Sequence, residues 1–247
     1  MKFCFKQLLP LLAVVLIALC VAWHNGDGAS SSVTVTFHNK VGNKDLVLFD
    51  ETYTNQFNEP FVVQRFRYYI SNVVLIDANG QQKALNDFYR LVDEADSSSK
   101  QIVFNTSGLQ QIASIEFILG VDSIRNVSGI QVGDLDPMKG MFWTWNSGYI
   151  FAKLEGKSDS SHAPSHYFSY HVGGYKQKEN ALRKIKLSVP ASMQATHAID
   201  INADVLKWFQ AVHDNPIALS PVCHQAGGIA MKLADNYANM FSIAAVK

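Results

Sequence analysis

Trp143 and Trp145 stand two residues apart in the segment 135–151, Leu-Asp-Pro-Met-Lys-Gly-Met-Phe-Trp-Thr-Trp-Asn-Ser-Gly-Tyr-Ile-Phe. Residues i and i+2 of a strand point to the same face, so this spacing predicts one surface carrying two of the chain's four tryptophans. Two readings stand side by side. In one, the pair is an aromatic core cluster. In the other, a tryptophan is itself the reagent or the precursor of a ligand.

Imidazole is the commonest ligand for zinc and copper, and the chain has eight histidines. His171 ends the run Tyr-Phe-Ser-Tyr-His and precedes Val-Gly-Gly, a turn that leaves a ring accessible. Strand alternation places Tyr167, Ser169 and His171 on one face, with Phe168 and Tyr170 on the other. A hydrogen-bonded structural histidine is the commoner use of such a position. His38 closes the first strand and is a second candidate copper ligand. Soft donors gather late in the chain, at Cys223, His224, Met231 and Met240, and thiolate and thioether favour Cu(I). On one continuous helix the two methionines point to opposite sides, and filling core gaps is the more frequent use of Met. Asp122, Asn126, Asp134 and Asp136 supply oxygens that can hold calcium, although their spacing departs from the EF-hand and Asx residues form such turns without metal.

Standard catalytic motifs are missing: no Gly-x-Ser-x-Gly elbow, no phosphate-cradling glycine loop, no His-Glu-x-x-His helix. Cys223-His224 lacks the second cysteine of a covalent haem site. The chain is therefore expected not to be an enzyme. Its 21 basic and 21 acidic side chains balance, which argues against a nucleic-acid partner.

The elements that must position these residues are mostly strands. Period-two β-branched and aromatic runs predict strands at 33–37, 45–49, 61–76, 89–92, 101–104 and 114–119. Further strands are predicted at 149–154, 166–172, 182–189 and 197–202. Asp-Ala-Asn-Gly at 77–80 reads as a hairpin turn. Ile115, Phe117 and Leu119 share one face. One helix is expected from Asp204, with Val205, Trp208, Phe209 and Val212 at helical spacing, and another over 228–239. The pattern predicts an all-β, antiparallel β-sandwich with one or two short peripheral helices. With 247 residues, 48% of them hydrophobic, the chain can bury a sizeable single core.

Residues 1–22 are set apart from that domain. Lys2 and Lys6 precede an apolar run from Leu8 to Trp23, shorter than the ~20 residues of a stable transmembrane helix. This reads as an export segment. Cleavage after Ala22 releases the protein, whereas lipidation at Cys20 anchors it; the Gly/Ser-rich tether over 23–32 suits the anchor. The domain proper is expected over 33–247, with Cys223 as its single thiol.

Several segments together resemble the MbnP-like family. They are Phe-Ile-Leu-Gly-Val-Asp-Ser-Ile-Arg-Asn-Val-Ser-Gly at 117–129, the tryptophan segment 135–151 and Tyr-His-Val-Gly-Gly at 170–174. Phe-Arg-Tyr-Tyr-Ile-Ser-Asn-Val at 66–73 and Ala-Asp-Asn-Tyr-Ala-Asn-Met-Phe at 234–241 are similar to further family segments. The motifs occur in the family's order over about 33–243. The resemblance implies a periplasmic or outer-membrane-attached copper-binding protein of a Gram-negative bacterium; the family's named member is encoded with the peptide copper chelator methanobactin. It also implies a partner, the di-haem peroxidase-like enzyme MbnH, which oxidises a tryptophan to kynurenine that ligates copper together with histidines. Carried over residue by residue, it points to Trp143 or Trp145 as the kynurenine precursor and to His171 as a ligand. Family members of methanotroph type carry paired cysteines near these segments. This sequence has Tyr175 there and no such pair.

Two further hypotheses compete: a structural or adhesion-type exported lipoprotein sandwich without metal, and an exported hydrolase acting through the acidic loop. The hydrolase lacks any base–nucleophile pairing.

Overall fold

The computed structural model describes residues 32–145, 148–193 and 198–244. The export segment with Cys20, the tether up to residue 31, and His197 lie outside the described residues. The described residues from Ser32 onward form one compact unit.

Fourteen strands are described, in two sheets. They are β1 (Ser32–Val41), β2 (Lys44–Asp45), β3 (Tyr53–Thr54), β4 (Pro60–Asp77), β5 (Gln82–Asp93), β6 (Gln101–Asn105) and β7 (Ile112–Leu119). Then come β8 (Phe142–Trp143), β9 (Gly148–Lys157), β10 (Tyr167–Gly173), β11 (Arg183–Ser188), β12 (Ala198–Asp204), β13 (Val222–Cys223) and β14 (Phe241–Ile243). The helices are α1 (Ser123–Val127) and α2 (Gly228–Tyr237), the latter matching the expected 228–239. The smaller sheet runs β14-β12-β1-β2 with β6 also on β1; the larger runs β11-β7-β4-β9-β10-β13, with β3 and β5 on β4 and β8 on β9.

Alternation decides which side chains fill the space between the sheets. In β1, Val33, Val35 and Phe37 are buried while Thr34, Thr36 and His38 face outward. In β7, Ile115, Phe117 and Leu119 are buried on one face as predicted. Phe37 meets Tyr68 and Phe117 of the larger sheet edge-on, with ring centroids 6.2 Å and 6.0 Å apart. Phe241 meets Phe117 at 5.1 Å. Such edge-to-face pairs contribute about 0.5–1.5 kcal/mol beyond their area. The all-β sandwich with peripheral helices is the observed architecture. It is mixed rather than purely antiparallel, because β1–β12 and β10–β13 pair in parallel.

Other departures have local causes. The strand expected at 45–49 stops at Asp45: Val47 donates its N–H to the Tyr53 hydroxyl, and Phe49 turns at φ 70°. The strand expected at 89–92 extends back to Gln82, because the 77–80 turn starts a long hairpin in which Asp77 accepts from the N–H groups of Asn79 and Gln81. The helix expected from Asp204 is one 3-10 turn, Val205–Trp208, capped by the Asp204 carboxylate on the Leu206 N–H. Val205, Trp208 and Phe209 are buried, so their spacing served packing. The Asn236 amide then captures the N–H groups of Val212 and His213 and ends any helical course.

Phe117 reaches across the core from the larger sheet to two aromatic rings of the smaller one, Phe37 and Phe241. Phe117→Ala should cost about 3–5 kcal/mol, read as a lowered urea midpoint with an unchanged slope.

Candidate metal centre

Sheet register builds the site on the outer face of the larger sheet. Arg65 of β4 lies opposite Glu155 of β9, and Glu155 opposite Ser169 of β10. Ser169 and His171 share a face because Phe168 and Tyr170 occupy the core side. β13 adds in parallel, pairing Ser169 with Val222 and Tyr170 with Cys223, and the Ser169 N–H donates to the Pro221 carbonyl. This sends the Cys223 thiol inward and returns the His224 ring to the His171 side.

The two imidazoles stack, with ring centroids 4.3 Å apart and 28° between planes. His224 Nε2 lies 2.8 Å from Ser169 Oγ and His171 Nε2 lies 3.2 Å from the same oxygen. His171 Nε2 is also 2.5 Å from Glu155 Oε1, while Arg65 Nη1 donates to Glu155 Oε2 at 2.7 Å. Burial alone raises the Glu155 pKa, but the His171 hydrogen bond and the charges of His171, Lys153 and Arg65 outweigh it and hold the carboxyl at about 2. Desolvation, then the neighbouring His171, pushes the His224 pKa down from 6.5. That shift favours the neutral ring, which carries a lone pair.

The tryptophans belong to the same place. Lys153 Nζ donates to the Gly140 carbonyl at 2.6 Å, Arg67 to the Lys139 carbonyl at 3.0 Å, and the Tyr149 hydroxyl to the Leu135 carbonyl at 2.7 Å. These bonds clamp the segment leading into β8 onto the sheet. Trp143 packs over Gly173, where an added Cβ would meet its ring at 3.0 Å, and is 5% exposed. The strand ends there. Trp145 lies in the following turn, so the expected common strand face does not form. The rings still touch, with centroids 5.8 Å apart, but Trp145 is 64% exposed. It lines a cavity of about 400 Å³ with His224, Val222 and Ile229.

The remaining predicted residues are placed elsewhere. His38 faces outward on the smaller sheet, 2.8 Å from Asp200, and is not brought to His171. Cys223 is buried with its pKa raised by that burial, its sulfur 3.7 Å from the Gln225 carbonyl. Met240 is core and Met231 sits on α2. The four oxygen donors are occupied. Asp122 caps α1 and accepts from the Tyr89 hydroxyl, and Asn126 bonds the Val121 carbonyl and the Tyr149 N–H. Asp134 pairs with Arg90 and Lys139, and Asp136 caps the turn at Met138. Among the described residues no three His, Cys, Asp or Glu side chains form a ready metal cage. His171 and His224 are two donors of an open site. Two imidazoles suit copper, and the pair needs a further donor to complete a usual coordination number. Each ring is legible in the sequence but their pairing is not, since two residues of parallel pairing leave no periodic signal.

The chain thus carries a stacked imidazole pair beside an exposed indole on a two-sheet β fold. The MbnP family model matches residues 30–225, and the chain belongs to that family. A solved structure, MbnP from Methylosinus trichosporium, shares the fold with a TM-score of 0.51 at 15% identity, covering 80% of this chain and 82% of that one. Comparison with curated proteins returns no match. No helix among the described residues is long and apolar enough to cross a membrane.

The burial contrast predicts unequal roles for the indoles. Trp143→Ala should cost about 3–5 kcal/mol in urea unfolding, whereas Trp145→Phe should stay within about 0.5 kcal/mol of wild type.

Proposed function

We propose that this is an exported, non-enzymatic copper-binding protein in which His171 and His224 hold the metal and Trp145 is the latent third ligand. The stacked imidazole pair beside an exposed tryptophan is the single observation that carries the reading. Family membership supports it, through the link to methanobactin and copper that the resemblance implies. Trp145 is favoured over Trp143 because an external oxidant reaches its ring. An indole N–H only donates, whereas opening the ring to kynurenine exposes an aniline nitrogen able to ligate. The oxidant is a di-haem peroxidase-like enzyme of the MbnH type. The protein acts in the periplasm or at the outer membrane of a Gram-negative bacterium, released by cleavage or held by a lipid at Cys20.

A second reading, a structural or adhesion-type sandwich without metal, is favoured by one observation. Ile124, Val127, Ile130, Val132 and Met138 form a run of exposed apolar side chains.

Equilibrium dialysis against copper, with mass spectrometry of the protein made beside its di-haem partner, separates the two. The proposal predicts bound copper, and a net gain of one oxygen with loss of one carbon mapping to Trp145. His171→Ala and His224→Ala should each weaken copper by more than the 10–100-fold typical of losing an outer-shell partner. No bound copper at all supports the metal-free reading, and equal copper binding in wild type and both variants overturns the assignment of His171 and His224 as the ligands.

A further inference from the structure

Metal-bound imidazoles usually donate their second ring N–H to a carboxylate, a carbonyl or a water, which fixes both tautomer and ring orientation. The outer face of the larger sheet holds such an arrangement. A carboxylate accepts only, so the 2.5 Å contact between Glu155 Oε1 and His171 requires a proton on Nε2. Arg65 occupies the other carboxylate oxygen and leaves Oε1 for His171. Ser169 Oγ lies within hydrogen-bond distance of both Nε2 atoms. Among the described residues, no hydrogen bond to either Nδ1 is found.

We propose that Glu155 is a positioning residue for the metal site. By accepting the Nε2–H of His171 it keeps the Nδ1 lone pair free for copper, and Ser169 anchors His224 through its Nε2 in the same sense. Arg65 is the outer end of this relay, aligned by the pairing of Arg65 with Glu155 and of Glu155 with Ser169. The site then binds through two Nδ1 atoms, with both Nε2 atoms tied to the sheet. The inference rests on the copper reading above, but its first readout needs no metal.

Long-range 1H–15N spectra of the metal-free full chain at about pH 8, above the ordinary histidine pKa of ~6.5, report the tautomer directly. The expected result is a pure Nε2–H tautomer for His171 with a slowly exchanging, strongly downfield ring proton. In Glu155→Ala that proton should be lost to exchange, and copper affinity should fall 10–100-fold. Glu155→Gln preserves the shape and one acceptor oxygen. It should keep the tautomer, move the ring proton upfield and weaken copper less than Glu155→Ala. If Glu155→Ala fails to fold, the Gln variant alone decides. An Nδ1–H tautomer in wild type, or His171 nitrogen shifts unchanged in Glu155→Gln, overturns the positioning role. A correct tautomer in a chain that binds no copper would sink the copper reading instead, so the two failures are distinguishable.

Discussion

Arg65, Glu155 and Ser169 face one another across three strands because β4, β9 and β10 pair in one register. Successive side chains of a strand alternate between faces, so a one-residue slip in any of the three would exchange core for surface. Glu155 would turn toward the apolar interior, and Tyr170 would take the place of His171. The register is held from the inside. Phe66, Tyr68, Leu154, Phe168 and Tyr170 are fully buried on the opposite face of the same strands. The packing that stabilises the sandwich is thus also what aligns the polar row.

The two tryptophans show how a local boundary sorts chemically identical residues. β8 is two residues long and ends on Trp143, which Gly173 receives closely because a Cβ there would press on the ring. Beyond that point the chain turns, and Trp145 is carried outward to the cavity edge beside His224. Ring contact survives the change of face, since indoles 5.8 Å apart span the turn. The clamps from Lys153, Arg67 and Tyr149 to the preceding carbonyls determine where the turn falls.

The fold was largely legible because its signal is periodic. Long alternating runs such as those of β1, β4 and β7 declare both strand and buried face. Elements of two residues carry no period, which is why β8 and β13 escaped and with them the separation of Trp143 from Trp145 and the meeting of His171 with His224. The residue types of the site were readable, as was the shared face of Ser169 and His171. The partner of His171 is not: His38 has the right chemistry but lies on the other sheet, while adjacency in the sequence sets His224 beside Cys223. Strand alternation separates that neighbouring pair. The acidic and amide residues between Asp122 and Asp136 were ambiguous between calcium and turns. Here their oxygens are spent on caps and ion pairs, as Asx side chains commonly are.

Anomalous diffraction at the copper edge, on crystals of the copper-loaded protein, tests the central claim most directly. The account predicts one strong peak within ligand distance of both His171 and His224, on the side of Trp145. A peak at His38 and Asp200 with none at the stacked pair would contradict it.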